Sequence, residues 1–134
     1  MNEATFRERI YMAAVARCFP GKARGGGDRK PDANEIARCR TFLEGEAAIL
    51  KPALVLAVGA VAMGEILGPL AVGKRLDTLV GRAVSTRWFG LDVDVVPLPH
   101  PSGASPWHKV EPGKTLLGKA LTLIKDHPAM RELL

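Results

Sequence analysis

The chain has 134 residues, enough for one domain with a hydrophobic core of its own. At 47% hydrophobic and 25% charged, its composition is that of a soluble globular protein, and a chain too polar to build a core is excluded. Nineteen Lys and Arg against fourteen Asp and Glu leave a net charge of +5, which suits an anionic partner, nucleic acid above all.

The N-terminus "MNEATFRERIYMAAVARC" opens with charge and lacks the apolar core and cleavage pattern of a signal peptide. Residues 9–19, "RIYMAAVARCF", form an apolar run of strand length. Segment 20–32, "PGKARGGGDRKPD", ends it. Glycine-rich and basic, this segment has little to bury against the cost of ordering, and it is predicted to be an exposed, mobile loop. "DANEIARCRTFLEGEAAILK" follows with Ile36, Cys39, Leu43, Ala47 and Leu50 at helical spacing. Asp32 and Glu35 stand three residues apart, as in a capping box.

"PALVLAVG" reads as a fully buried parallel strand, apolar on both faces and ending at Gly59. "AVAMGEIL" is a short helix stopped by Gly68 and Pro69. Its Glu65, with the glycine and proline breaks around it, leaves no uninterrupted apolar stretch of about twenty residues, so no transmembrane helix is expected. With no signal peptide either, the expected setting is cytoplasmic. A helical turn over 76–79 precedes strands at 83–88 and 93–98, with Gly90 at the bend between them. "GKTLLGKALTLIKDHPAMRELL" is an amphipathic C-terminal helix broken at Pro128. His108 has no assigned role, and His127 is expected at the surface.

This order predicts a single domain over residues 1–134, an α/β/α sandwich in three layers around a mostly parallel central sheet. In such sheets ligands bind beyond the carboxyl ends of the strands. The two unusual segments, "CFPGKARGGGDRKP" and "PLPHPSGASPWHK", both directly follow predicted strands and so would meet at one edge. Within the second, Pro99 and Pro101 restrict His100 from both sides. Ser102, Gly103 and Ser105 add hydroxyls and backbone N–H groups of the sort that bind phosphate, and Trp107 offers a flat face. The structural alternative is a proline-rich connector whose tryptophan caps the core and whose histidine bonds a carbonyl. Cys18 and Cys39 alone read as two free thiols, one of them packed in the core.

"VVPLPHPSGAS" followed by tryptophan resembles the C-terminal signature of the uracil-DNA glycosylase superfamily. "YMAAVARCFPG", the basic glycine-rich loop, "EIARCRTFL" and "KPALVLAVG" follow the order of its iron–sulfur-containing branch, and the resemblance covers nearly the whole chain. It implies a base-excision DNA repair function, hydrolysis of the N-glycosidic bond of deoxyuridine in DNA. His100 matches the histidine that stabilises the departing base, and Ser102 the serine that holds a DNA phosphate. Gly103, Ala104 and Ser105 match the part of the loop that pushes into the minor groove. Trp107 could share that task, since Ala104 is smaller than the usual wedge residue. Cys18 and Cys39 match two of the four ligands of a 4Fe-4S cluster. Lys22, Arg24, Arg29 and Lys30 would track DNA phosphates.

The family's first strand and first motif carry the water-handling residue, a base-stacking aromatic and two further cysteines, and they have no counterpart here. Ala14 stands where some relatives place a base-reading asparagine. The expected domain is therefore N-terminally truncated, with an unpaired sheet edge that favours self-association or a second chain completing the sheet. A non-catalytic DNA-binding remnant and a poorly folding fragment remain open as alternatives.

Overall fold

The computed structural model describes residues 1–134. It opens on a helix that hydrophobic periodicity does not reveal, α1 (Glu3–Arg9), because none of its residues is buried. Local terms hold it: Asn2 Oδ1 accepts the Thr5 N–H at 2.9 Å, and Arg7 pairs with Glu3 one turn back.

The strand expected over 9–19 does not form. Residues 11–20 make no backbone–backbone hydrogen bond, and Tyr11, Met12 and Phe19 are exposed. Apolar composition suits a strand, but a strand exists only when a neighbour accepts its ladder. This segment is anchored by side chains instead. Arg17 forks onto Glu46 with two bonds of 2.7 Å and lies over the Phe42 ring. Its backbone N–H donates to Cys39 Sγ at 3.4 Å.

Helix α2 (Ala33–Leu50) begins as its sequence dictates. Asp32 accepts the Glu35 N–H at 2.8 Å and Glu35 accepts the Asp32 N–H at 3.0 Å, completing the capping box. Cys39, Leu43 and Ala47, four residues apart, form its buried stripe.

The sheet has three strands in the order β1-β3-β2: β1 (Leu54–Val58), β2 (Val84–Trp88) and β3 (Leu91–Leu98). β1 and β3 run parallel, from Leu54 opposite Asp94 to Val58 opposite Leu98. β2 and β3 form an antiparallel hairpin turning at Phe89 and Gly90, both left-handed as a tight two-residue turn requires. The sheet is thus mixed, with one parallel and one antiparallel pair, where a mostly parallel sheet was expected. The 9–19 run, which forms no ladder, adds no parallel pairing. β1 is an edge strand, and of its residues only Ala57 is fully buried.

Two helices cover this sheet, α3 (Gly59–Leu67) against β1 and β3, and α5 (Gly113–Asp126) against β3. Met63 and Leu67 of α3 join Val93, Val95 and Val96 of β3 and Ala120 and Ile124 of α5 in one core. Each of these side chains except Ala120 stabilises the fold by roughly 1.5–3 kcal/mol relative to exposure. The buried stripe of α2 stands outside that cluster. An Arg40–Glu65 ion pair ties α2 to α3.

Between α3 and β2 the chain makes a 3-10 turn (Gly68–Leu70) and the short helix α4 (Leu76–Leu79). Pro128 breaks the C-terminal helix as expected, starting α6 (Pro128–Arg131). No helix is long and apolar enough to cross a membrane.

Candidate functional site

The parallel pairing of β1 and β3 brings two chain turns together at the carboxyl ends of both strands. β1 passes into α3 at Gly59, and β3 passes into the loop that carries His100. His100 lies on this junction. A Cβ built on Gly59 would stand 3.3 Å from His100 Cδ2 and 3.7 Å from His100 Cβ. Gly59 has φ +86, a conformation that side-chain-bearing residues rarely adopt. On the other side of the ring, the Ser102 N–H donates to His100 Nδ1 at 3.2 Å. A backbone N–H can only donate, so Nδ1 is the acceptor and the neutral imidazole carries its proton on Nε2. No protein group bonds Nε2. The result is an exposed donor on a ring held at two edges.

Ser102 and Ser105 are half-buried, whereas Gly103 and Ala104 form the exposed tip between them. The tip is a turn in which the Ser105 N–H reaches the Ser102 carbonyl at 3.4 Å. The Ser102 hydroxyl has no protein partner. Trp107 opens a 3-10 turn (Trp107–Lys109) and packs against the main core, matching the alternative in which the tryptophan anchors the connector. Directly beneath it lies Gly113, the first residue of α5. A Cβ there would stand 1.9 Å from the Trp107 carbonyl oxygen, so this approach requires glycine. Glu111, the acidic side chain of this loop, accepts the Thr115 N–H at 3.3 Å and so caps α5.

The basic segment folds on itself rather than hanging free. Lys22 and Asp28 form a β-bridge, and the Arg29 N–H donates to the Gly21 carbonyl at 2.8 Å. Arg29 is committed to this fold. It pairs with Glu35 at 2.8 Å and donates to the Pro20 carbonyl, tying the hairpin to the cap of α2. Arg29, expected among the phosphate-tracking cations, has its guanidinium paired with a carboxylate three residues into the next helix. Lys22, Arg24 and Lys30 are exposed. No hydrogen bond or ion pair links this hairpin to the His100 loop.

Cys39 is buried and Cys18 exposed, in keeping with two free thiols of which one is packed inside. A cubane cluster takes four thiolates, and nowhere do three His, Cys, Asp or Glu side chains gather as a metal set. The residues of this chain do not by themselves fit a four-cysteine cluster.

An open groove of about 780 Å³ lies toward the amino ends of β1 and β3, away from His100. His127, expected at the surface, is half-buried in its wall. Its Nδ1 accepts the Ala129 N–H at 3.1 Å as the cap of α6, so Nε2 carries the proton and bonds Asp94 at 3.0 Å. The Ser85 hydroxyl donates to the same carboxylate at 2.6 Å. Ser85 first and His127 second hold the Asp94 carboxyl below its usual range. Pro128 lets a histidine at this position turn inward, because it stops α5 and leaves a cap to be filled. That is the signal by which the sequence could have revealed it.

Comparison with known proteins bears on the His100 loop. The model of the uracil DNA glycosylase superfamily matches residues 1–122. A protein of Thermotoga maritima, described as a Type-4 uracil-DNA glycosylase, is 30% identical over 96 residues, covering 72% of this chain and 45% of that protein. The chain spans less than half the length of this curated relative.

Proposed function

The chain belongs to the uracil DNA glycosylase superfamily, and from that membership we propose that it acts in base-excision DNA repair by hydrolysing the N-glycosidic bond of deoxyuridine in DNA. The observation that carries this reading is the held imidazole of His100, with Nδ1 occupied and the Nε2 proton free. As the C1′–N1 bond breaks, its electron pair leaves with the base. A donor fixed beforehand stabilises the developing negative charge on the pyrimidine without reorganising. Water supplies the hydroxyl that joins C1′, and its remaining proton neutralises the expelled base.

Ser102 offers a free hydroxyl to a DNA phosphate, and Gly103 and Ala104 form the tip that approaches the minor groove, with Ser105 closing the turn behind them. Trp107 serves this interface by anchoring the loop on the core. Lys22, Arg24 and Lys30 supply non-specific phosphate attraction. Base extrusion from a duplex costs a few kcal/mol and is cheaper at a U·G mismatch than at a U·A pair. The cytoplasm is the expected setting.

Cys18 and Cys39 would supply half of a four-cysteine cluster site, the other two thiolates coming from outside these 134 residues. The free edge of β1 and the unpaired 11–20 segment leave backbone groups open to a further strand, from self-association or another chain among other sources.

One observation favours a second reading, a DNA-binding module that cleaves nothing. Glu111, the acidic side chain of the loop, accepts the Thr115 N–H at the start of α5 and makes no bond to His100. Incubation with a labelled uracil-containing duplex, followed by scoring of alkali-labile sites, separates the two. Excision that disappears in His100→Ala supports the enzyme. Salt-dependent DNA binding without excision, from cooperatively folded protein, assigns the module.

A further inference from the structure

The two braces on the His100 ring differ in kind. Ser102 acts through a hydrogen bond within the loop. Gly59 belongs to another segment, 41 residues earlier, and acts through the absence of a side chain. The nearest atom to its missing Cβ is Cδ2, the ring carbon bonded to the nitrogen that carries the free proton. Whatever stands at position 59 therefore sets the height and tilt of the Nε2–H bond.

We propose that Gly59 is a positioning residue for His100: the bare backbone at the β1–α3 turn lets the Cγ–Cδ2 edge of the imidazole pack close to it and aims Nε2–H at the departing base. This rests on the proposed glycosylase function for its purpose, though the geometry stands without it. At 3.3 Å a Cβ would be tighter than ordinary contact, and the neighbour would have to give by a few tenths of an ångström. His100 cannot give freely, since its backbone sits between Pro99 and Pro101. The ring must rotate instead, and rotation loosens the Ser102 bond at Nδ1. Donors at a reacting centre act only at close, aligned range. Since a misplacement of 1 Å can cost about a hundredfold in rate, a tilt of this size is expected to cost roughly tenfold.

Backbone strain has to be separated from ring displacement, and other glycines allow it. Gly68 has φ +53 with ψ −122 and nothing within 4 Å of its missing Cβ, so Gly68→Ala carries a positive-φ strain with no neighbour to push. Gly59→Asn provides the converse, because asparagine tolerates a left-handed backbone but still presents a Cβ to the ring.

The experiment measures the imidazole nitrogen-15 shifts of His100 by NMR and the single-turnover excision rate, in wild type, Gly59→Ala, Gly59→Asn and Gly68→Ala. Both Gly59 variants are expected to move the Nδ1 resonance away from its hydrogen-bonded position and slow excision about tenfold. Gly68→Ala is expected to leave the shifts in place and the rate within twofold. Unchanged His100 shifts in folded Gly59→Asn would overturn the proposal, as would an equal response in Gly68→Ala. If the wild type excises nothing, the enzymatic reading fails, and the shifts alone still decide whether Gly59 positions the ring.

Discussion

Gly113 and Gly118 sit five residues apart in α5, and replacing each by alanine should have opposite effects. At Gly113 the new Cβ would stand 1.9 Å from the Trp107 carbonyl oxygen and 2.8 Å from the indole Cδ2. The 107–109 turn must retreat by roughly 1 Å to restore ordinary contact, which draws Trp107 off the core. Losing about 100 Å² of indole burial at about 25 cal/mol per Å² costs roughly 2.5 kcal/mol. At Gly118 a Cβ meets nothing within 4 Å on an exposed helix face, and alanine there should stabilise by about 0.5–1 kcal/mol. The two variants should therefore differ by about 3 kcal/mol, or roughly 10 °C in Tm. Urea melts followed by circular dichroism measure the difference. Tryptophan emission in a Trp88→Phe background reports Trp107 alone, and it should shift red only in Gly113→Ala. A Gly113→Ala protein as stable as the wild type, with unchanged emission, would refute the packing argument.

Asp94→Asn should destabilise the fold by about 1 kcal/mol near neutral pH, a modest figure because the carboxylate is 42% exposed. Its folded pKa is depressed below the ordinary 3.8, so this stabilisation is present above that value and fades as pH falls through the folded one. Denaturant melts of wild type and variant should accordingly converge in strong acid, and a gap that widens there would contradict the assignment. Lys22→Ala, Arg24→Ala and Lys30→Ala should each flatten the slope of log K for DNA against log salt by about 0.9, whereas Arg29→Ala should chiefly weaken folding through the cap of α2. Equal slopes across the four variants would show that Arg29 also reaches DNA. Sedimentation should reveal concentration-dependent association that Met12→Lys with Phe19→Lys suppresses. A wild type that stays monomeric at every concentration argues against strand sharing.

Elements with a strong local code were legible before any coordinates. Asp32 and Glu35 announce α2, Gly68 and Pro69 stop α3, Gly90 turns the hairpin, and Pro128 divides the C-terminal helix. Each acts through atoms a few residues apart, so neighbours in sequence are enough to specify it. The loop from Pro97 to Pro112 was legible as the unusual segment for the same reason, and so was the pinning of His100 by adjacent prolines.

Residues 9–19 mark the limit of that reading. Their composition is that of a strand, yet a strand is a relation between two segments, and nothing within the run says whether a partner will accept its ladder. The burial of His127, the commitment of Arg29 to Glu35 and the seating of Trp107 over Gly113 also join groups whose meeting depends on chain geometry. Gly59 is the sharpest instance. Sequence marks it as the end of a strand, and only the parallel register of β1 with β3 lays His100 across it. The sequence by itself determined which side chains the site contains. Tertiary structure decided which of them remain free to act, because a hydrogen bond or a missing Cβ takes its meaning from what stands opposite.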